Sequence, residues 1–141
     1  MRLISISDTH NKHKDLDIPK GDFLIHCGDF TEGGSRSETL DFLEWFSKQP
    51  HKHKILIGGN HDFFLEKYQH NLEEYIPNNI HYLNDKGITL ENIRIWGSPY
   101  TPGNGHWAFN LERGRAIRKR WNLIPQNIDI LVTHTPPYGI L

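Results

Sequence analysis

The sequence holds a single cysteine, Cys27, so no internal disulfide can brace the fold. A reducing, cytoplasmic setting is the expectation that follows. No stretch approaches the roughly 20 apolar residues that a membrane-spanning helix needs, which argues against a membrane partner. The opening MRLISISDTH has too short an apolar run, and no small-residue cleavage site, for a secretory leader. An excess of either charge is missing too: 16 basic residues stand against 17 acidic ones, a net charge of -1. Duplex nucleic-acid binders carry a basic excess on one face, so that partner class is not expected. The densest basic run, Arg113, Arg115, Arg118, Lys119 and Arg120, reads as the solvated face of a helix. Repeats, linkers and low-complexity tracts are likewise missing. The 141 residues, 36% hydrophobic and 23% charged, therefore read as one globular domain over 1–141.

Histidine, by contrast, is abundant at 10 residues. His13, His51, His53, His70 and His81 lie in polar, Lys- or Asn-rich surroundings and are expected to be solvated. His26 precedes Cys27 inside an apolar run and reads as a hydrogen-bonded core histidine. Cys27 itself reads as a small core residue. The other histidines matter for where they fall along the chain.

Short apolar runs alternate with helical stretches. Strands are expected at 3–7, 23–27, 55–57, 80–83, 88–96 and 128–133. Ser35 and Glu38 form a capping-box pattern that opens a helix lasting to Pro50. Further helices are expected at 65–76 and 111–121, with a Gly/Pro/aromatic loop at 97–110. This order predicts an α/β domain with a largely parallel sheet, and the run at 88–96 begins a second one. Asp8 and His10 follow the first strand, Asp29 the second, Asn60 and His61 the third, and His134 the last. Ligands of open α/β sheets gather beyond the carboxyl ends of the strands. Carboxylate, imidazole and amide oxygen suit hard or borderline divalent ions rather than thiolate-seeking ones. Two such ions about 4 Å apart need a shared ligand, and the two oxygens of Asp29 can supply one.

The blocks Asp8-Thr9-His10, Gly28-Asp29-Phe30, Gly59-Asn60-His61-Asp62 and Val132-Thr133-His134-Thr135 resemble successive blocks of the calcineurin-like metallophosphoesterase family. The resemblance covers almost the whole chain. It is closer still to a small subfamily of metallophosphoesterase-domain proteins related to a vertebrate brain-expressed pair. There Gly-Asp-Phe-Thr, a Gly-Ser-Pro loop with an aromatic-rich Phe-Asn segment, and Thr-His-Thr-Pro-Pro recur. Here these are residues 28–31, 97–99 with 107–110, and 133–137. The resemblance implies an αββα sandwich and two divalent metal ions, with Mn²⁺ first and Fe, Mg²⁺ or Zn²⁺ as alternatives. It assigns Asp8 and His10 to one metal, Asn60 and His134 to the other, and Asp29 to both. A water activated between the two would attack the phosphorus of a small phosphate ester. Diesters, cyclic nucleotides among them, and monoesters are the implied substrates. His61 would protonate the leaving oxygen or stabilise phosphoryl charge, and Asp62 would orient His61. The 97–110 loop would lie near the substrate mouth, where a functional and a packing reading of His106 and Trp107 stand level.

One departure matters. The family pattern ends on a Gly-His-x-His block on a later strand, and no such block is present in this chain. Each metal is therefore expected to lack one protein ligand. The second sheet is expected to lack its closing, C-terminal strands and to show an apolar edge. Three readings follow: a piece of a longer protein, a short form completed by a second copy or another chain, or a protein-interaction module that has lost catalysis.

Overall fold

A computed structural model describes residues 1–136, so Pro137 of the Thr-His-Thr-Pro-Pro block lies outside the described residues. Four parallel strands form the first sheet: β1 (Leu3–Ile6), β2 (Phe23–His26), β3 (His53–Leu56) and β4 (Ile80–Tyr82), side by side in that order. All four residues of β2 are buried, as a strand covered on both faces requires. Side chains alternate across a strand, and this alternation builds two cores. Phe23 and Ile25 join Ile55, Ile57, Leu83, Ile95 and Val132 in one of them. Leu24 and Leu56 point the other way, into a cluster with Phe30, Phe42, Leu43 and Phe46.

The second cluster lies under α1 (Arg36–Ser47). Ser35 caps this helix through the expected box: its hydroxyl accepts from the Glu38 amide while the Glu38 carboxylate takes the Ser35 amide. Phe42, Leu43 and Phe46 fall on one face at helical spacing and are buried. The first cluster lies between the sheets. The second sheet contains β5 (Lys86–Leu90) antiparallel to β6 (Ile93–Ser98), and β9 (Ile130–Thr133) parallel to β6. Between them run β7 (Thr101–Pro102), β8 (Asn110–Leu111) and α3 (Arg115–Trp121). The result is a mixed α/β layering of two facing sheets, consistent with the αββα sandwich expected. Among the described residues β9 pairs with β6 alone, and Leu131 on it is 44% exposed. No described helix is long and apolar enough to cross a membrane.

Four expectations need correction. The helix expected over 65–76 is a short α2 (Phe63–Lys67) followed by a separate 3-10 turn, Leu72–Glu74. Gln69-His70-Asn71 offers no apolar residue to hold a continuous helix on the core, and the chain turns there. The helix expected from Leu111 starts at Arg115, because Leu111 is spent pairing β8 with β7. The single strand expected over 88–96 is two strands joined at Glu91-Asn92, both at positive φ (50° and 64°). A two-residue turn of that hand suits a hairpin, but Glu in its first position conceals it in the sequence. Finally, His13 and His51 are not solvated: they are 0% and 2% exposed. His13 pairs with Asp41 at 3.1 Å and packs against Phe42 and Trp45, while the His51 ring bonds the Pro19 carbonyl at 2.9 Å. An imidazole with one good partner can be buried however polar its neighbours in sequence are.

His26 is the core histidine expected, and alternation sends it to the helix side of the sheet. The Gly28 N–H donates to its Nδ1 at 3.2 Å, so Nε2–H donates to the Thr9 hydroxyl at 2.9 Å. Burial holds its pKa down to about 3. A histidine depressed in the fold stabilises it above the unfolded value of 6.5 and loses that contribution as pH falls toward 3. We therefore expect stability to decline on acidification through this window, with His26 adding up to about 1.4 kcal/mol per pH unit. Urea titrations at stepped pH check this. His26→Gln, which has no charge to gain, should give a slope shallower by about one proton.

Candidate metal centre

β1, β2 and β3 are parallel, so the segments leaving them emerge at one edge of the sheet. These segments stay laced together past the last strand pairs. Asp8 N–H donates to the Gly28 carbonyl at 3.0 Å, His10 N–H to Asp29 at 3.1 Å, and Asn11 N–H to Phe30 at 2.9 Å. Asp8, His10 and Asp29 all sit at positive φ (55°, 39° and 58°). That conformation costs on the order of 1–3 kcal/mol per non-glycine residue and persists only where surroundings enforce it. It turns all three side chains off their strand ends. Two glycines allow the second and third loops to touch. A methyl group on Gly28 would stand 2.8 Å from the Gly58 carbonyl, and one on Gly59 would overlap the Asp29 carboxylate.

Asp29, 3% exposed, is the centre of the arrangement. Its Oδ2 lies 3.7 Å from His10 Nε2, and its Oδ1 lies 3.4 Å from His134 Nε2. Asp8 Oδ1 stands 4.0 Å from His10 Nε2, and the Asn60 amide oxygen 3.0 Å from His134 Nε2. Both histidines are fixed from behind. His10 Nδ1–H donates to the Thr31 carbonyl at 2.9 Å, and His134 Nδ1–H to the Cys27 carbonyl at 2.8 Å. A carbonyl can only accept, so each ring presents Nε2 to oxygens that are themselves acceptors. Electron pairs that converge in this way need a proton or a cation between them. Donors about 2.1 Å from one ion at tetrahedral or octahedral angles stand about 3.0–3.4 Å apart, which matches the 3.0 and 3.4 Å around His134, while the 3.7 and 4.0 Å around His10 are wider. Backing of a ligand histidine by a carbonyl is also how metal sites fix the ring.

The charges agree with the geometry. Burial alone would lower His134, but hydrogen bonding to Asp29 and Cys27 and the nearby carboxylates raise its pKa overall. Burial would raise Asp29, but bonds from His134 and the His61 amide, the latter 2.8 Å from Oδ1, lower it overall. Asp29 belongs to both groups of candidate ligands that close to within 4.8 Å: Asp8, Asp29 and His134, and His10, Asp29 and His61. The sequence-derived set of Asp8, His10, Asp29, Asn60 and His134 is thus brought together around one carboxylate.

His61 and Asp62 are placed differently from the expectation. Asp62 does not touch the His61 ring. Its buried carboxylate accepts from the amides of Asp29 (2.8 Å), Gly59 (2.8 Å) and Thr31 (3.1 Å), and from the Thr31 hydroxyl (2.7 Å). Burial pushes Asp62 up to about 6 against these donors. With four donors on two oxygens the carboxylate form is the one that fits. The His61 ring is oriented instead by Nδ1–H donation to the Glu32 carbonyl at 2.6 Å. It stacks on Trp107 (centroids 4.8 Å apart) and meets His10 edge-on (4.7 Å).

Sequence reasoning missed the residues that hold these ligands. The carbonyls of Thr31 and Glu32 aim His10 and His61, and nothing in a residue's type announces a carbonyl's direction. Glu38 was visible only as a helix cap. Its carboxylate also accepts from the Asn11 side chain (2.7 Å) and the Gly33 amide (2.9 Å), joining the first and second loops to α1. The basic run 113–120 is mostly solvated as expected, but Arg120 turns inward to Asp85 (3.2 Å) and over the Tyr100 ring (4.2 Å).

Comparison with known proteins matches residues 1–141 to the family model described as calcineurin-like phosphoesterase. Metallophosphoesterase domain-containing protein 1 of Homo sapiens is 41% identical over 164 aligned residues, covering 99% of this chain and 50% of the relative. The Mus musculus protein of the same name gives the same figures. The UPF0046 protein C25E10.12 of Caenorhabditis elegans is 39% identical over 155 residues, covering 99% of this chain and 55% of the relative. The chain spans about half the length of the curated relatives it matches.

Gly59→Ala tests the close approach of the loops. The added methyl has only the Asp29 carboxylate and backbone to displace. We expect a stability loss of about 1–3 kcal/mol, typical of overpacking, in denaturant titration. Mn²⁺ binding by calorimetry should weaken at least about tenfold, since 1.4 kcal/mol at the site corresponds to that factor. Gly105→Ala, whose methyl meets nothing within 4 Å but is strained by a φ of +83°, should cost stability without weakening Mn²⁺ binding, which separates backbone strain from the clash at Asp29.

Proposed function

Because the chain belongs to the calcineurin-like phosphoesterase family, we propose that the protein hydrolyses small phosphate esters at a centre of two divalent ions sharing Asp29, with Mn²⁺ the leading metal. Membership carries metal-dependent phosphoester hydrolysis as the general activity. The dinuclear centre, the metal and the substrate are our reading. One observation supports it above the rest: the two Asp29 oxygens face opposite histidines, each with its Nε2 presented and its Nδ1 tied to a carbonyl. Bound there, the ions would supply Lewis acidity and an activated water at neutral pH.

The protein's own groups do the rest. Asp8, His10 and Asp29 offer one set of donors, and Asp29, Asn60 and His134 the other. Thr31 and Cys27 hold the two ligand rings so that neither must reorganise when a cation arrives. His61 closes to within 4.8 Å of His10 and Asp29, at the edge of the first set, and we assign it to the substrate rather than to the metal. Its Nδ1–H is committed to Glu32, so Nε2, protonated in the imidazolium form, would be the atom that delivers a proton to a leaving alcohol or donates to a phosphoryl oxygen. Asp62 acts at one remove, by fixing the backbone that carries Asp29. Phosphodiesters, cyclic nucleotides among them, head the proposed substrates, with phosphomonoesters next. The site of action proposed is the reducing cytoplasm, in keeping with the lone Cys27.

The test is turnover of bis(4-nitrophenyl) phosphate by this chain and by a form extended to the length of its relatives. Each is assayed metal-depleted and after addition of Mn²⁺. Activity should depend on the metal and fall to background in Asp29→Asn. His61→Ala should lower kcat by about 10²–10⁴-fold while Mn²⁺ still binds, the span typical of a lost general acid. Turnover that survives chelation or Asp29→Asn in the extended form would overturn the proposal.

A further inference from the structure

Among the described residues, Trp107 is an exposed aromatic residue beside this centre that no ligand or proton-transfer role uses. It is 46% exposed, whereas the next two residues, Ala108 and Phe109, are fully buried. The exposure is therefore not that of a loose loop. Ala108 N–H donates to the Asn60 carbonyl at 3.0 Å, and Phe109 N–H to the Glu66 carboxylate at 2.8 Å. The Phe109 ring fills the space over Gly58, where a methyl would stand 2.7 Å from it. Trp107 is thus anchored one residue from a direct backbone link to a candidate metal ligand. Its ring stacks on His61 at 4.8 Å and 30°, and lies near-parallel to Phe63 at 6.2 Å and 28°. A ring held in one orientation, partly covered by aromatic neighbours and otherwise open, is an unfinished stack. His61 covers one face of the indole, so a flat group laid on the open surface would extend a stack that already includes His61.

We propose that the exposed surface of Trp107 is a substrate subsite that stacks a planar aromatic group carried by the ester, so that the protein prefers phosphate esters bearing an aryl or heteroaryl group over purely alkyl ones. This rests on the phosphoesterase reading of the centre. The group is held by dispersion and quadrupole contact alone, so recognition follows flatness rather than hydrogen-bond pattern. The phosphate is placed by the metal centre and the organic portion by Trp107, two independent contacts on one ligand.

Phenylphosphonate and methylphosphonate separate those contacts, because they share an acidic head and neither is hydrolysed. Their affinities for the Mn²⁺-loaded, extended protein are measured by calorimetry in wild type, Trp107→Ala and Trp107→Phe. Wild type should bind phenylphosphonate about tenfold more tightly than methylphosphonate, the scale of one aromatic stack. Trp107→Ala should erase that preference and leave the methylphosphonate affinity within about twofold. Trp107→Phe should keep most of the preference. Thermal melts check that the variants remain folded. Equal affinity for the two phosphonates in wild type, or loss of both alike in Trp107→Ala, overturns the subsite and leaves the hydrolytic reading standing. Failure of both phosphonates to bind, with Mn²⁺ bound, overturns both readings.

Discussion

The centre depends on a carboxylate that binds no metal in our scheme. Asp62 takes the amides of Asp29, Gly59 and Thr31 and the Thr31 hydroxyl, so one side chain fastens the loop after β2 to the loop after β3. Without it, Asp29 would have no reason to keep its left-handed backbone, and the Thr31 carbonyl would have no fixed direction in which to hold His10. Charge-assisted hydrogen bonds to a buried carboxylate are worth more than neutral ones, and leaving their donors unpaired costs about 1–3 kcal/mol each. The strain in the ligand loops is therefore offset next door, within the same four-residue motif that carries Asn60 and His61.

A second carboxylate works on the outer side. Glu38 caps α1 and at the same time accepts from Asn11 and Gly33. Hydrogen bonds from Asn11, Ser35 and Gly33 outweigh burial and draw its pKa down to about 2. The helix that packs Phe42 and Phe46 on the sheet thereby also positions the loop following His10. Core packing and ligand placement are mechanically one assembly, linked through a group that sequence patterns describe only as a helix start.

Much of this was legible beforehand because it follows from periodicity and from strand ends. Short apolar runs alternating with helical stretches marked a largely parallel sheet, and the capping box marked α1. Asp8, His10, Asp29, Asn60 and His134 were picked out by falling just after strands, and parallel strands necessarily deliver such residues to one edge. What stayed hidden depended on backbone direction or on the partner's identity. The hairpin at Glu91-Asn92 was hidden by a residue that seldom takes positive φ. The burial of His13 and His51 depended on Asp41 and on the Pro19 carbonyl, both distant in sequence. The family resemblance implied that Asp62 orients its neighbour His61, yet the Asp62 oxygens look toward the neighbouring loop. Adjacency along the chain says little about which way two consecutive side chains face.

His134 reaches the Cys27 carbonyl across 107 positions of sequence and Asn60 across 74. During synthesis, Asp8, His10, Asp29 and Asn60 leave the ribosome well before the strand that carries His134. A nascent chain of that length displays carboxylate, imidazole and amide without the ring that spans the loops after β2 and β3. That ring arrives only when β9 docks against β6, so the pairing of two strands in the second sheet governs the assembly of a cluster built on the first.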